Sequence, residues 1–185
     1  MRLTRLRVRG LRSFSRETEI DLARLGEQGL FAISGPTGAG KSTILDGIFL
    51  ALFGRCPRGE ASECVSAGAL ELSVRLELED GRGAGARALA VERRFRWSKR
   101  RSGGAGAVGG DLRGAPKHPP LRIEERRGEG DAWTPVDLGG RKADEHLAEQ
   151  IVRVSMSDFQ QAVVLPQGEF DALLRARPEI GRAHV

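Results

Sequence analysis

Tyrosine is absent from the chain, lysine occurs at four positions, and cysteine at two, Cys56 and Cys64. Two cysteines are too few for the disulfide framework of a small secreted domain. Neither stands at metal-ligand spacing from a second Cys or a His, so both read as packing residues. Long apolar runs are missing as well. The opening "MRLTRLRVRG" lacks the apolar stretch of a signal peptide and no run of 18 apolar residues occurs, so the sequence predicts no membrane association and a cytoplasmic location.

What remains is a 185-residue chain with a formal net charge of +5. That length fits one domain able to bury its own core without covalent staples. Of the 30 basic residues, 26 are arginine. Arginine presents a planar fork of donors that suits phosphate, which leans toward phosphate-rich partners, although G+C-rich coding gives the same excess.

Alternating apolar and polar residues predict strands over 2–9 and 17–22, joined by the turn "GLRSFS". "LFAIS" at 30–34 reads as a buried strand. From Lys41 onward Ile44, Leu45, Ile48, Phe49, Leu52 and Phe53 recur at helical spacing, and Gly54 marks the stop. "LELSVRLELE" puts Leu70, Leu72, Val74, Leu76 and Leu78 on one face of a half-buried antiparallel strand, "LAVERRFRW" does so with Leu89, Val91, Phe95 and Trp97, and "LRIEER" is a third strand. The Gly-, Ala- and Pro-rich insert at about 98–120 cannot bury enough apolar area to offset ordering and reads as a mobile loop. Beyond it, "RKADEHLAEQIVRV" is helical with Ala143, Leu147, Ile151 and Val154 sharing a face, Ser157 is placed to cap a helix over "DFQQAV", "VVLPQG" reads as strand and turn, and "EFDALLRA" as a last helix.

Between the predicted strand and the helix at Lys41 lies "GPTGAGKST", residues 35–43. Gly35, Gly40, Lys41 and Ser42 meet the pattern G-x-x-x-x-G-K-[ST], in which glycines let backbone N–H groups turn inward around phosphates at a helix N-terminus. The whole loop, Gly35, Pro36, Thr37, Gly38, Ala39, Gly40, Lys41, Ser42 and Thr43, is expected to hold ATP, with Lys41 at the outer phosphates, Ser42 on Mg2+ and Thr43 as a further donor.

A phosphate loop does not say what the nucleotide is used for. Small kinases place it directly after their first strand, whereas two predicted strands precede it here. Membrane transporters of the ABC class usually stack adenine on an aromatic, often tyrosine, ahead of the loop. The segment "VVLPQGEFDALLRARPE", whose Gln167 lies 126 positions beyond Lys41, resembles the Q-loop (about 164–169) of the ATPase heads of the SbcC family, the bacterial DNA double-strand-break repair ATPases. "MRLTRLRVRGLRSFSRETEIDL" resembles that family's start, "GLFAISGPTGAGKSTILDGIFLALFGRCPR" is similar to its loop and helix, and the three antiparallel strands look like its β insertion.

The resemblance covers residues 1–179. It implies an α/β P-loop NTPase fold, the N-terminal lobe of an ABC-type ATPase head with an antiparallel β insertion. By it Arg12 and Ser13 of "LRS" would contact the nucleotide, and Gln167, as a catalytic residue with Lys41, would approach Mg2+ and the attacking water. It also implies a second copy of the head as homodimer partner, an SbcD-like nuclease subunit, double-stranded DNA and an association with the nucleoid. SMC-type chromosome-organising heads share these motifs and stay open as an alternative; a small P-loop kinase is a more distant one.

Such heads complete their site with Walker B carboxylates, a signature serine and a switch histidine. None is recognisable: the Asp-Glu pair, Asp144 and Glu145, follows "GRKA" and not a buried apolar strand. The chain by itself is therefore expected to be inactive in hydrolysis. The last six residues, "IGRAHV" at 180–185, resemble a reading frame of a sequencing adapter and read as a non-native tail. "ERRFRWSKRR" sets Arg93, Arg94, Arg96, Lys99, Arg100 and Arg101 around Phe95 and Trp97, either as a strand with its basic residues in water or as a patch following duplex phosphates.

Overall fold

The computed structural model describes residues 1–26, 33–57, 59, 61–81, 87–99, 112–113, 121–128, 130–138 and 142–163. In chain order these form β1 (Arg2–Arg9), β2 (Thr18–Asp21), α1 (Leu22–Gly26), α2 (Lys41–Phe53), α3 (Ala61–Cys64), β3 (Glu71–Asp80), β4 (Arg87–Arg96), β5 (Ser98–Lys99), β6 (Leu112–Arg113), β7 (Leu121–Arg126), β8 (Thr134–Pro135), α4 (Ala143–His146), a π-helical continuation (Leu147–Val152) and α5 (Met156–Val163). Residues 1–153 make one compact unit and 154–185 another.

Six strands build one antiparallel sheet in the order β2-β1-β3-β4-β7-β8. Because side chains alternate across a strand, register decides which residues meet. Val8 pairs with Val74, Leu6 with Leu76, Leu72 with Phe95 and Leu76 with Val91, so the large apolar members of β1, β3 and β4 fall on one face. Leu6, Leu72, Val74, Leu76, Leu78, Leu89 and Val91 are buried there. Each contributes on the order of 1.5–3 kcal/mol by leaving water.

The predicted helix is present from Lys41 to Phe53, with Gly54 in the left-handed conformation donating its N–H to the Leu50 carbonyl. It packs on the apolar face, and Gly47 allows the close approach: a Cβ there would come within 3.0 Å of Val8 Cγ1 and 3.2 Å of Leu6 Cδ2. Phe49, Leu50 and Ala51 are buried completely. The opposite sheet face is a lattice of charges. Arg75 lies at its centre with Glu124 at 2.6 Å and Glu92 at 3.4 Å, and Trp133 lies against the guanidinium groups of Arg75 and Arg126.

The structure departs from the sequence reading in several places. Leu70, expected on the apolar face with Leu72, lies outside β3 and is exposed. Ile33 and Ser34 form no strand and are exposed, while 30–32 lie outside the described residues. A central strand needs neighbours to take its N–H and C=O groups, and every long strand described belongs to the antiparallel sheet. Arg93 is no part of a water-facing basic surface. Being two residues from both Val91 and Phe95 it shares their inward face, with 2 % exposure, and donates from Nε to the Ala51 carbonyl and from Nη2 to Asp144 at 2.7 Å. Phe95 and Trp97 do pack inward, their rings stacked 6.1 Å apart. Arg94 and Arg96 are exposed beside Glu92 and Glu71.

The insert predicted as a loop contains a short ladder, Ser98 with Arg113 and Lys99 with Leu112; the remaining positions from 100 to 120 lie outside the described residues. Val154 does not share the face of Leu147 and Ile151. The backbone widens to i→i+5 bonding, Arg153 donates to the Ala148 carbonyl and turns left-handed, and the helix ends at Val152, which is buried in Val154's stead. In the second unit the helix over "DFQQAV" is capped by Ser155, not Ser157: Ser155 Oγ accepts the Asp158 N–H at 3.1 Å and bonds the Asp158 carboxylate at 2.6 Å. Of the strand and turn expected over 163–168, Val163 instead ends α5 and 164–168 lie outside the described residues, as do the Q-loop at 164–169, the last helix and the 180–185 tail.

Candidate functional site

Three stretches of chain meet at the N-terminal end of α2: the turn after β1, the glycine loop, and the segment around α3. Residues 33–39 are exposed and Gly40 is the helix's N-cap with φ 94°, a conformation that suits glycine. No side chain caps the helix and its first turn holds no acidic residue. The open N–H groups of that turn and the positive end of the helix dipole therefore face the loop. Lys41 curls back so that Nζ donates to the Gly35 and Pro36 carbonyls at 2.7 and 2.9 Å, closing the loop over the helix start. Ser42 is exposed, and Thr43 is buried.

The turn after β1 lies against this start. Phe14 and Ser13 flank Gly40 so closely that a Cβ there would meet Phe14 Cζ at 2.8 Å and Ser13 Oγ at 3.1 Å. Ser13 Oγ is 3.3 Å from Thr43 Oγ1. Arg12 has φ 45°, a left-handed conformation costing a non-glycine residue roughly 1–2 kcal/mol. Both of its backbone polar groups are engaged: its N–H donates to the Cys64 carbonyl at 2.7 Å and its carbonyl accepts from Ser66 Oγ at 2.7 Å. Backbone strain held by surrounding bonds is common where a side chain must be aimed.

That side chain reaches α2. Arg12 Nε donates to Asp46 Oδ2 at 2.9 Å, and Nη2 donates to Cys64 Sγ at 3.2 Å. Burial works against the arginine's charge, but Cys64 and Asp46 outweigh it, so the guanidinium is held charged more firmly than usual. Asp46, with 1 % exposure, is a buried carboxylate that needs this partner.

Of the residues expected to form the site, the structure brings together Arg12, Ser13, Gly40, Lys41 and Thr43 around one helix start, with Gly35 and Pro36 under the lysine and Thr37, Gly38, Ala39 and Ser42 on the exposed rim. Gln167 lies outside the described residues. Asp46, Phe14 and Ser66 were not singled out from the sequence, and Cys64 was read there as a packing residue, whereas its sulfur accepts from Arg12. Asp46 did carry a signal: a carboxylate inside the apolar run "ILDGIF" must find a cation, and Arg12 stands in the turn expected at the loop. Asp144, the one candidate for a carboxylate pair with Glu145, lies on α4 and pairs with Arg93.

No described helix is long and apolar enough to cross a membrane. The family model described as an AAA domain matches residues 5–180. The chain is 35% identical over 175 residues to the C subunit of the nuclease SbcCD of Clostridium acetobutylicum, an alignment covering 95% of this chain and 14% of the relative. It is 36% identical over 192 residues to the Pseudomonas aeruginosa protein of the same name, covering 95% and 15%. Against the DNA double-strand break repair Rad50 ATPase of Methanopyrus kandleri it is 30% identical over 178 residues, covering 96% and 17%. The chain thus spans about one-seventh to one-sixth of the length of these relatives. An AAA-domain match across nearly all of the chain, an antiparallel α/β lobe with a phosphate loop at its helix start, and these likenesses together identify the chain as a member of the AAA domain family, of the SbcC type.

Proposed function

We propose that this chain is the ATP-binding N-terminal part of an SbcC-like subunit, in which ATP binding and hydrolysis are coupled to the processing of DNA ends in double-strand-break repair. The observation that carries it is the seating of the Arg12–Ser13 turn on the first two turns of α2, where Arg12 bonds Asp46 and Ser13 meets Thr43. A loop needed only as a connection has no use for a strained arginine aimed at its helix. The donor set suits a polyphosphate: backbone N–H groups, an ammonium and hydroxyls, with no carboxylate between Ile33 and Thr43.

In this reading residues 35–43 hold the phosphates of ATP, with Lys41 leaving its two carbonyls for the outer phosphates. Ser42 and Gln167 hold Mg2+, which supplies charge neutralisation at the transferred phosphoryl group. Arg12 and Ser13 contact the nucleotide, and Gln167 orients the attacking water. The Walker B carboxylates come from elsewhere in the protein, so this chain alone turns ATP over negligibly. A second copy of the head, an SbcD-like nuclease subunit and double-stranded DNA complete the assembly, which acts in the cytoplasm at the nucleoid. Arg100 and Arg101 add to DNA contact, and reversing their charge is expected to weaken duplex binding and flatten its salt dependence.

Titration of the full chain with a fluorescent ATP analogue and Mg2+ tests the reading. Lys41→Ala is expected to weaken binding by at least about tenfold, as the loss of a charge-assisted contact should. Equal affinity in the two proteins, or brisk ATP turnover by this chain that Lys41→Ala abolishes, would reject it.

A further inference from the structure

Two thiols lie directly behind the Arg12 turn. Cys56 follows the C-terminal end of α2, and Cys64 ends α3. Their sulfurs are 2.8 Å apart, and both residues are buried, Cys64 completely. Arg12 Nη2 donates to the sulfur of Cys64, and the Cys64 carbonyl accepts the Arg12 N–H. Cys64 thus holds the strained arginine by both its backbone and its side chain. Packing alone would not ask a guanidinium to end on a sulfur.

The surroundings divide the pair into two chemical roles. The hydrogen bond it shares with Cys56 and the positive charge of Arg12 hold the Cys64 thiol below its ordinary range, against burial. The same shared bond, together with burial, pushes the Cys56 thiol up. A sulfur that accepts from a guanidinium, with a second sulfur 2.8 Å away, is the arrangement in which a nucleophilic and a resolving cysteine work.

We propose that Cys56 and Cys64 form an oxidisable thiol pair, acted on by hydroperoxides, whose closure to a disulfide withdraws the sulfur acceptor from Arg12 and loosens the nucleotide site. The consequence for nucleotide rests on the ATP-binding reading above; the thiol chemistry does not. The Cys64 thiolate attacks one oxygen of hydrogen peroxide, the O–O bond breaks, and hydroxide leaves with a sulfenic acid formed on Cys64. The Cys56 sulfur then attacks the Cys64 sulfur, the S–O bond breaks, and the hydroxyl departs as water with the Cys56 proton. Two thiols are oxidised and one peroxide is reduced to two waters. Burial slows the first step without forbidding it, because hydrogen peroxide is small.

The test uses the full chain, reduced and then exposed to a modest excess of hydrogen peroxide. Expected are the joint loss of both thiols counted in denaturant, a monomer two hydrogens lighter in mass, and full reversal by dithiothreitol. Cys56→Ser, which removes the resolving sulfur, is expected to be labelled at Cys64 by a sulfenic-acid probe, and Cys64→Ser to resist oxidation. Affinity for the fluorescent ATP analogue should fall at least about fivefold in the oxidised chain. Two free thiols after treatment, or disulfides formed only between chains, would overturn the pair; a disulfide that leaves affinity unchanged would overturn its link to Arg12. A reduced chain that binds no nucleotide would count against the ATP reading instead, and the thiol count and the mass would still decide the oxidation.

Discussion

Arg12 donates through Nε to the buried carboxylate of Asp46 at 2.9 Å, tying the turn after the first strand to the helix that follows the phosphate loop. Thirty-four residues separate the two, and the pair fixes where the loop's helix start stands relative to the sheet. Asp46→Ala is expected to cost about 2–3 kcal/mol, less than a fully buried pair because Arg12 keeps 31% side-chain exposure. Urea unfolding would measure it, and nucleotide affinity should fall in the same variant.

Gly40 stands where Phe14 and Ser13 close on the helix start. Gly40→Ala demands both a left-handed φ and room that Phe14 occupies, so it should destabilise by about 1–3 kcal/mol and weaken nucleotide binding at once. Gly38→Ala is a control for the conformational part. Gly38 also has positive φ, but a Cβ there meets nothing within 4 Å. A Gly40→Ala protein no less stable than Gly38→Ala would contradict the close packing.

Arg93 is a cation inside the core, held by the Ala51 carbonyl and by Asp144. Arg93→Ala should cost about 3–5 kcal/mol, since it opens a cavity and removes the bond at the end of α2. Asp144→Asn keeps a polar acceptor for the guanidinium and should cost about 1–2 kcal/mol. Thermal unfolding of the two variants checks the order.

On the charged face, the hydrogen bond from Arg7 holds the Glu19 carboxyl below its ordinary range. A carboxyl lowered in the folded state stabilises above its unfolded pKa and loses that contribution as pH falls through the folded one. Glu19 keeps 47% side-chain exposure, so Glu19→Gln should cost less than about 1 kcal/mol at neutral pH. The difference from the unaltered protein should vanish as pH falls below the normal carboxylate range. A gap that persisted in acid would mean that packing, not charge, is responsible.

At the start of α5, Ser155 and Asp158 form a reciprocal cap. Ser155→Ala should cost that helix about 1 kcal/mol, while Ser157→Ala should cost little. Amide exchange over 156–160 distinguishes them.

The assignment of that cap shows how sequence reading can stop one step short. "SMSD" holds two serines, each with a polar partner at capping-box spacing, Asp158 for Ser155 and Gln160 for Ser157, so spacing alone did not choose between them. Arg93 shows a different limit. Its place in the strand alternation already put it on the inward face, but its charge argued for water, and no local rule could show that Ala51 and Asp144 would be there to receive it.

Sequence alone determined the features that repeat along the chain or depend on a few neighbours. Strand alternation, the helix from Lys41 to its Gly54 stop, and the glycine loop between are short-range consequences of steric and hydrophobic periodicity. Tertiary structure alone decided what the loop leans on: Ser13 beside Thr43, Arg12 on Asp46, and the two cysteine sulfurs behind the arginine. Those contacts join residues from 8 to 34 positions apart, and they exist because antiparallel register and the close approach at Gly47 bring the ends of different elements to one place. Residue type states what a side chain can bond, but only the path of the backbone supplies the partner.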